Sequence, residues 1–366
     1  MTPGATMNNR DRFLRTLRYQ DVDRRPIHLV GPWSETLARW HREGLPEDAD
    51  PHAFLGIADH EYPLANISPL AGLYPPFERK VLKEEGDFVY LIDNYGRTVR
   101  DFRNSTTIPE WLDFPVKSPE DLRRLMDEHF DVDDLDARFS ADWADRARAA
   151  KSRNDIVLID GGCYYGTLRN VAGVATASYL FYDAPELVEE LFERYLAVVM
   201  EGLRRAVLVV EVDVIGFGED IGFKTGPLIS PEMFRRFILP RYRKAMDFAH
   251  AHGIELTWYD SDGDIRQFIP DCLEVGINGL MPCEVAAGMS PAELRPRFGR
   301  ALRMGGGVDK REVAKGPQAI DAEIARLLPV IREGGFVPGI DHSVPGDVSW
   351  DNYRYYVDAI RRAVTM

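Results

Sequence analysis

Ile254-Glu255-Leu256-Thr257-Trp258-Tyr259 is followed at once by Asp260-Ser261-Asp262-Gly263-Asp264. Six residues rich in aliphatic and aromatic side chains are too short for a stable helix and read as a buried strand. The acidic run after them reads as the loop at that strand's C-terminal end. The same pairing recurs along the chain. A strand over 212–217 leads to Gly218-Glu219-Asp220, and one ending near Pro282 leads to Cys283-Glu284. A strand over 302–305 precedes Asp309-Lys310, and one over 336–340 leads to Asp341-His342. An earlier strand over 156–160 ends in Gly161-Gly162.

Between these strands the hydrophobic spacing changes to the helical period. Helices are expected over 185–209, 231–252, 265–275, 291–298, 318–333 and 351–364. The second has Pro231 in its first turn and Gly253 as its stop, and the fifth is stopped by Gly334-Gly335. Strand–helix alternation sustained in this way means parallel βα units. An open doubly wound sheet and a closed barrel both satisfy it. Polar clusters after nearly every strand favour the barrel, because only there do the strand ends converge on one face. The expectation is α/β: a single (β/α)8 TIM barrel with an N-terminal insertion, one domain over residues 1–366.

The N-terminal third is less regular. Residues 10–18 form a short helix with Phe13, Leu14 and Leu17 on one face, and 26–30 a first strand ending at Gly31-Pro32. Within 33–150 lie helices over 35–42 and 119–128. A two-stranded piece is also expected there, over 88–92 and 98–102 around Asn94-Tyr95-Gly96. This stretch reads as an insertion on the scaffold.

Composition narrows the function. The chain has 366 residues, 45% apolar, with 45 Lys and Arg against 59 Asp and Glu, a net charge of −14. Such a surface repels nucleic acid and anionic membranes, so neither is an expected partner. No apolar run is long enough to span a bilayer and no signal core is visible, so a cytoplasmic location is expected. Cys163, Cys272 and Cys283 are too scattered for a disulfide framework or a Cys₄ zinc site. Cys283 stands beside Glu284, which is expected to raise its pKa and quench thiolate chemistry.

Several motifs carry little. Gly216-Phe217-Gly218 with Gly222 has the wrong spacing for a dinucleotide loop, and Glu219 and Asp220 would repel a pyrophosphate. Gly305-Gly306-Gly307 reads either as an anion cradle or as a tight turn at the rim. His41, His52, His60, His129, His250 and His252 read as mostly solvated, and His28 as facing the interior. His342 differs, since it follows the last strand directly.

Asp260 and Asp262, two apart on an extended segment, point the same way. With His342 they make either a site for a divalent metal, zinc or a harder ion, or an acid–base group without one. Glu219, Asp220 and His342 are the expected catalytic residues, and Asp260, Asp262 and His342 the expected metal set. Tyr164, Lys224, Glu284 and Lys310 are the expected contacts to a small-molecule substrate. A homodimer is the expected assembly.

At these residues the chain resembles the uroporphyrinogen decarboxylase superfamily, which also holds corrinoid-dependent methyltransferases. The resemblance begins with Arg10-Asp11-Arg12-Phe13-Leu14-Arg15-Thr16-Leu17 and Asp23-Arg24-Arg25-Pro26. It continues through Gly226-Pro227-Leu228-Ile229-Ser230-Pro231-Glu232-Met233-Phe234 and Leu239-Pro240-Arg241-Tyr242. It is strongest at Gly305-Gly306-Gly307-Val308-Asp309-Lys310 and Asp341-His342-Ser343-Val344-Pro345, with Asn352-Tyr353 beyond. It implies a single (β/α)8 barrel with its cleft at the strand C-termini.

Both branches of the superfamily are altered here. The porphyrinogen branch carries arginines just after the first strand that meet substrate carboxylates. This chain has Gly31-Pro32-Trp33-Ser34-Glu35-Thr36-Leu37-Ala38-Arg39, where only Arg39 is basic. The methyltransferase branch holds zinc through His-x-Cys-Gly and a later Cys. Asp260-Ser261-Asp262-Gly263 and His342 stand near those places. The implied function is methyl transfer from a small methylated or methoxylated molecule to a corrinoid, free or on a corrinoid protein. Decarboxylation of uroporphyrinogen or a smaller acid, and ligand binding without turnover, are the alternatives.

Overall fold

A computed structural model describes residues 7–57, 62–103 and 108–365. Its centre is a curled sheet of seven parallel strands: β1 (Leu64–Asn66), β2 (Ile156–Gly162), β3 (Val214–Gly218), β4 (Leu256–Asp260), β5 (Gly279–Met281), β6 (Arg303–Val308) and β7 (Phe336–Ile340). They are hydrogen-bonded in that order. Helices pack outside, the longest being Pro185–Val209, Tyr164–Asp183 and Pro317–Glu333. The expected α/β class, parallel sheet and helix placement are therefore present.

Closure differs from expectation. Residues 26–30, the expected first strand, lie beside β7 but form no strand. They make one parallel bridge, His28 to Gly339, with the His28 amide donating to the Pro338 carbonyl at 2.8 Å. A Cβ on Gly339 would lie 2.0 Å from the His28 carbonyl oxygen, so only glycine lets this segment seat against β7. On the other side, the His28 and Tyr62 rings stack at 5.9 Å. Among the described residues no backbone bridge joins 26–30 to β1. Pro26, Pro32 and Pro63 cannot donate to a ladder there.

The helix Asn9–Leu17 seals the N-terminal end. Phe13, Leu14 and Leu17 pack there against Ile156, Val214, Leu256, Trp258 and Val337. His28 faces this interior, as expected, and burial pushes its pKa down to about 4.

Other elements depart in detail. The helix expected over 231–252 has a π-turn at Phe234–Ile238, because Pro240 removes an amide from the ladder and forces a register shift. The glycine triplet 305–307 lies inside β6, so it is no tight turn at the rim. Two helices that the sequence analysis does not place, Trp143–Ser152 and Tyr164–Asp183, flank β2. The insertion is larger than a hairpin. Lys80–Glu85, Phe88–Ile92, Thr98–Phe102 and Glu110–Asp113 form a four-stranded antiparallel sheet. His250 and His252 are exposed, His41, His52 and His129 half-buried, and His60 lies outside the described residues.

Candidate functional site

The parallel register places the ends of β3 and β4 side by side, with Asp260 paired to Gly218. The Glu219 amide then donates to the Asp260 carbonyl at 3.0 Å. The next turn is locked from β4's loop: Ser261 Oγ accepts from the Ile221 and Gly222 amides at 3.1 and 3.3 Å. The Gly263 amide donates to Glu284 at 3.2 Å, joining the loop after β5.

Asp260, Asp262 and His342 meet in this cleft. His342 Nε2 stands 3.5 Å from Asp262 Oδ2, and Trp33 lies against the imidazole with ring centroids 6.1 Å apart. The contact with Asp262 raises the His342 pKa against the opposing effect of burial, and His342 lowers that of Asp262. Asp260 remains accessible to water but is crowded by protein. That crowding first, and then the charges of Asp220 and Asp262, push its carboxyl up to about 7. The same group therefore holds one ion pair and one acid poised near neutrality.

A second group lies beside it. Lys310 Nζ is 3.7 Å from Glu284 and 3.9 Å from Asp341. Asp341 is fully buried and accepts from the amides of Val285 at 3.0 Å and Lys310 at 3.3 Å. Burial pushes its carboxyl up to about 6. Sequence reasoning quoted Asp341 but gave it no role. Its signal was the strand-end position it shares with His342.

Other expected residues lie elsewhere. Glu219 is 1% exposed and accepts from the amides of Tyr164 at 2.8 Å and Gly166 at 3.0 Å and from the Tyr242 hydroxyl at 2.6 Å. It caps the helix Tyr164–Asp183 in place of Cys163, whose side chain caps nothing. Burial outweighs these three donors and lifts the Glu219 carboxyl to about 7. Tyr164 is completely buried, its hydroxyl without a partner among the described residues, so it lines no open cleft. Lys224 sits exposed on the small hairpin 222–227. Asp220 is at the cleft mouth, held by Arg169, a residue that sequence spacing did not single out. The Cys283 thiol is pushed up to about 12, as expected in direction. Burial is the cause, and Glu284 is not among the contributors.

Among the described residues no three His, Cys, Asp or Glu side chains are arranged to hold a metal ion. His342 turns Nε2 toward Asp262 as an ion-pair partner. The donor set suits proton transfer. No helix of the described residues is long and apolar enough to cross a membrane.

No curated protein matches in sequence. A methyltransferase from Methanosarcina mazei shares the fold, with a TM-score of 0.56 and 17% identity over 97% of this chain and 99% of that one. The family model for uroporphyrinogen decarboxylase (URO-D) matches residues 115–363, which include β2 to β7 and every cleft carboxylate described above. The chain belongs to the uroporphyrinogen decarboxylase family.

Proposed function

We propose that this protein is a methyl-transfer enzyme acting on a small methoxylated or N-methylated substrate, with Asp260 as the proton donor. The observation that carries the reading is the accessible Asp260 carboxyl held near pH 7 beside the Asp262–His342 pair. A carboxylic acid in that range is half protonated at neutral pH, the best position for a general acid. When a methyl group leaves oxygen as a carbon electrophile, the oxygen keeps the bonding pair and needs a proton. Asp260 supplies it, and His342 re-protonates Asp260 from solvent. The acceptor in this proposal is a corrinoid, the nucleophile implied by the sequence resemblance.

The family name favours a second reading, decarboxylation of a small acid, in which Asp260 would protonate the resulting carbanion. Uroporphyrinogen itself fits poorly. Arg39, the one basic residue left after the first segment, is spent on Glu43 at 2.6 Å and on the Gly346 carbonyl at 2.8 Å. The test incubates the full chain with cob(I)alamin and a panel of methoxylated and N-methylated compounds, following loss of the cob(I)alamin spectrum. A parallel arm measures CO₂ release. Methyl transfer that falls about 10²–10⁴-fold in Asp260→Asn, with folding unchanged, supports the proposal. CO₂ release without methyl transfer overturns it in favour of the second reading.

A further inference from the structure

The antiparallel insertion docks on the barrel at a broken helix. Helix Tyr164–Asp183 departs from helical geometry at Gly173, with φ 69° and ψ 168°. Phe114, just after the insertion's last strand, fills the space where a Cβ would sit, 2.8 Å away. The Val171 carbonyl accepts from the Val116 amide at 3.1 Å. A turn closer to the cleft, Arg97 from the hairpin tip donates to Asn170 at 3.0 Å and to Asp93 at 2.7 Å. Its guanidinium lies 4.7 Å from the centres of both the Tyr95 and Trp111 rings, and the residue is only 9% exposed.

Arg169, adjacent to Asn170, lies over the same Trp111 ring at 5.7 Å. It donates to the Asp220 carbonyl at 2.8 Å and to the Asp220 carboxylate at 3.2 Å. Asp220 has φ 45°, a left-handed backbone that aspartate adopts only with support. One guanidinium holding both its carbonyl and its carboxylate provides that support.

We infer that the insertion is a positioning element of the cleft: Arg97 packs on Trp111, Trp111 holds Arg169, and Arg169 holds the Asp220 carboxylate at the mouth beside Asp260. The inference rests on the strand-end cleft being the active site. None of the three residues touches the reacting atoms; they act through Asp220. Planar stacking is what suits arginine to this task, since a ring face fixes the guanidinium plane while its edge stays free to donate.

The test is hydrogen–deuterium exchange of the full chain, read on the peptide containing 219–222. Trp111→Ala is expected to raise exchange there about tenfold or more, since exchange reports local opening. Trp111→Phe, which keeps a ring face, restores most of the protection. Leu112→Ala, its exposed neighbour, leaves the peptide unchanged, and β7 is unchanged in all three. Should Trp111→Ala fail to fold, Arg169→Gln removes the guanidinium directly and must loosen 219–222 while leaving the hairpin tip protected. Wild-type protection of 219–222 in Trp111→Ala, or in Arg169→Gln, overturns the inference. In the methyl-transfer assay Trp111→Ala should lower kcat about tenfold or more with KM changed little. A wild-type protein that transfers no methyl group would defeat the functional reading, while the exchange result would still decide the positioning.

Discussion

Replacing Gly173 by alanine tests how the insertion is joined to the barrel. At φ 69° and ψ 168° the backbone is in a region open essentially to glycine alone, and an alanine there costs about 1–3 kcal/mol. The added methyl would also meet Phe114 atoms at 2.8, 3.0 and 3.1 Å. Moving that ring, or straightening the helix, costs about another 1–3 kcal/mol. A straightened helix would further take the Val171 carbonyl from the Val116 amide, a bond worth about 1 kcal/mol. Whichever way the helix responds, the expected destabilisation is roughly 2–6 kcal/mol, a large share of the 5–15 kcal/mol typical of a domain. Urea unfolding followed by circular dichroism measures it. Gly72→Ala is the control, since nothing lies within 4 Å of its Cβ position and its φ is not positive; it should change stability by about 0.5 kcal/mol or less. Adding Phe114→Ala to Gly173→Ala should relieve the clash and none of the backbone cost. A Gly173→Ala protein within about 1 kcal/mol of wild type would show that the broken helix is not a strained junction, and the reasoning would fail.

The His342–Asp262 pair should show in a titration of His342 by NMR. Its folded pKa lies above 6.5, so its stabilising effect is complete below 6.5 and is lost as pH rises through the folded value. Asp262, lowered from 3.8, contributes above 3.8 and loses that contribution as pH falls through its folded value. In Asp262→Asn the burial of His342 is unopposed and its pKa should drop; an unchanged value would refute the pairing. Asp341→Ala leaves the Val285 and Lys310 amides without their acceptor and should cost about 2–4 kcal/mol in thermal unfolding, with a melting point equal to wild type as the contrary result. Uroporphyrinogen should not be decarboxylated at an ordinary enzymatic rate; coproporphyrinogen accumulating at about 1 s⁻¹ or faster would contradict the engaged state of Arg39.

Local order in the chain carried most of the architecture. The helices Pro185–Val209 and Pro291–Phe298 and the strands Phe336–Ile340, Phe88–Ile92 and Thr98–Phe102 have the bounds that periodicity, proline starts and glycine stops imply. Such signals act within a few residues, so they survive without knowledge of partners. The polar clusters at the ends of β3, β4 and β7 were visible for the same reason, and the parallel sheet then had to gather them on one face. What each carboxylate does in that cleft is set by contacts far apart in sequence. Glu219 and Asp220 are neighbours in the chain, yet one is buried as a cap on a helix beginning at Tyr164 and the other is exposed at the mouth and held by Arg169. His342 pairs with Asp262 and lowers its carboxyl, while burial and then the charges of Asp220 and Asp262 raise that of Asp260. The docking of the insertion through Phe114, Arg97 and Trp111 likewise has no local signature. Burial and charge fall off with distance in space, and only the folded chain sets those distances.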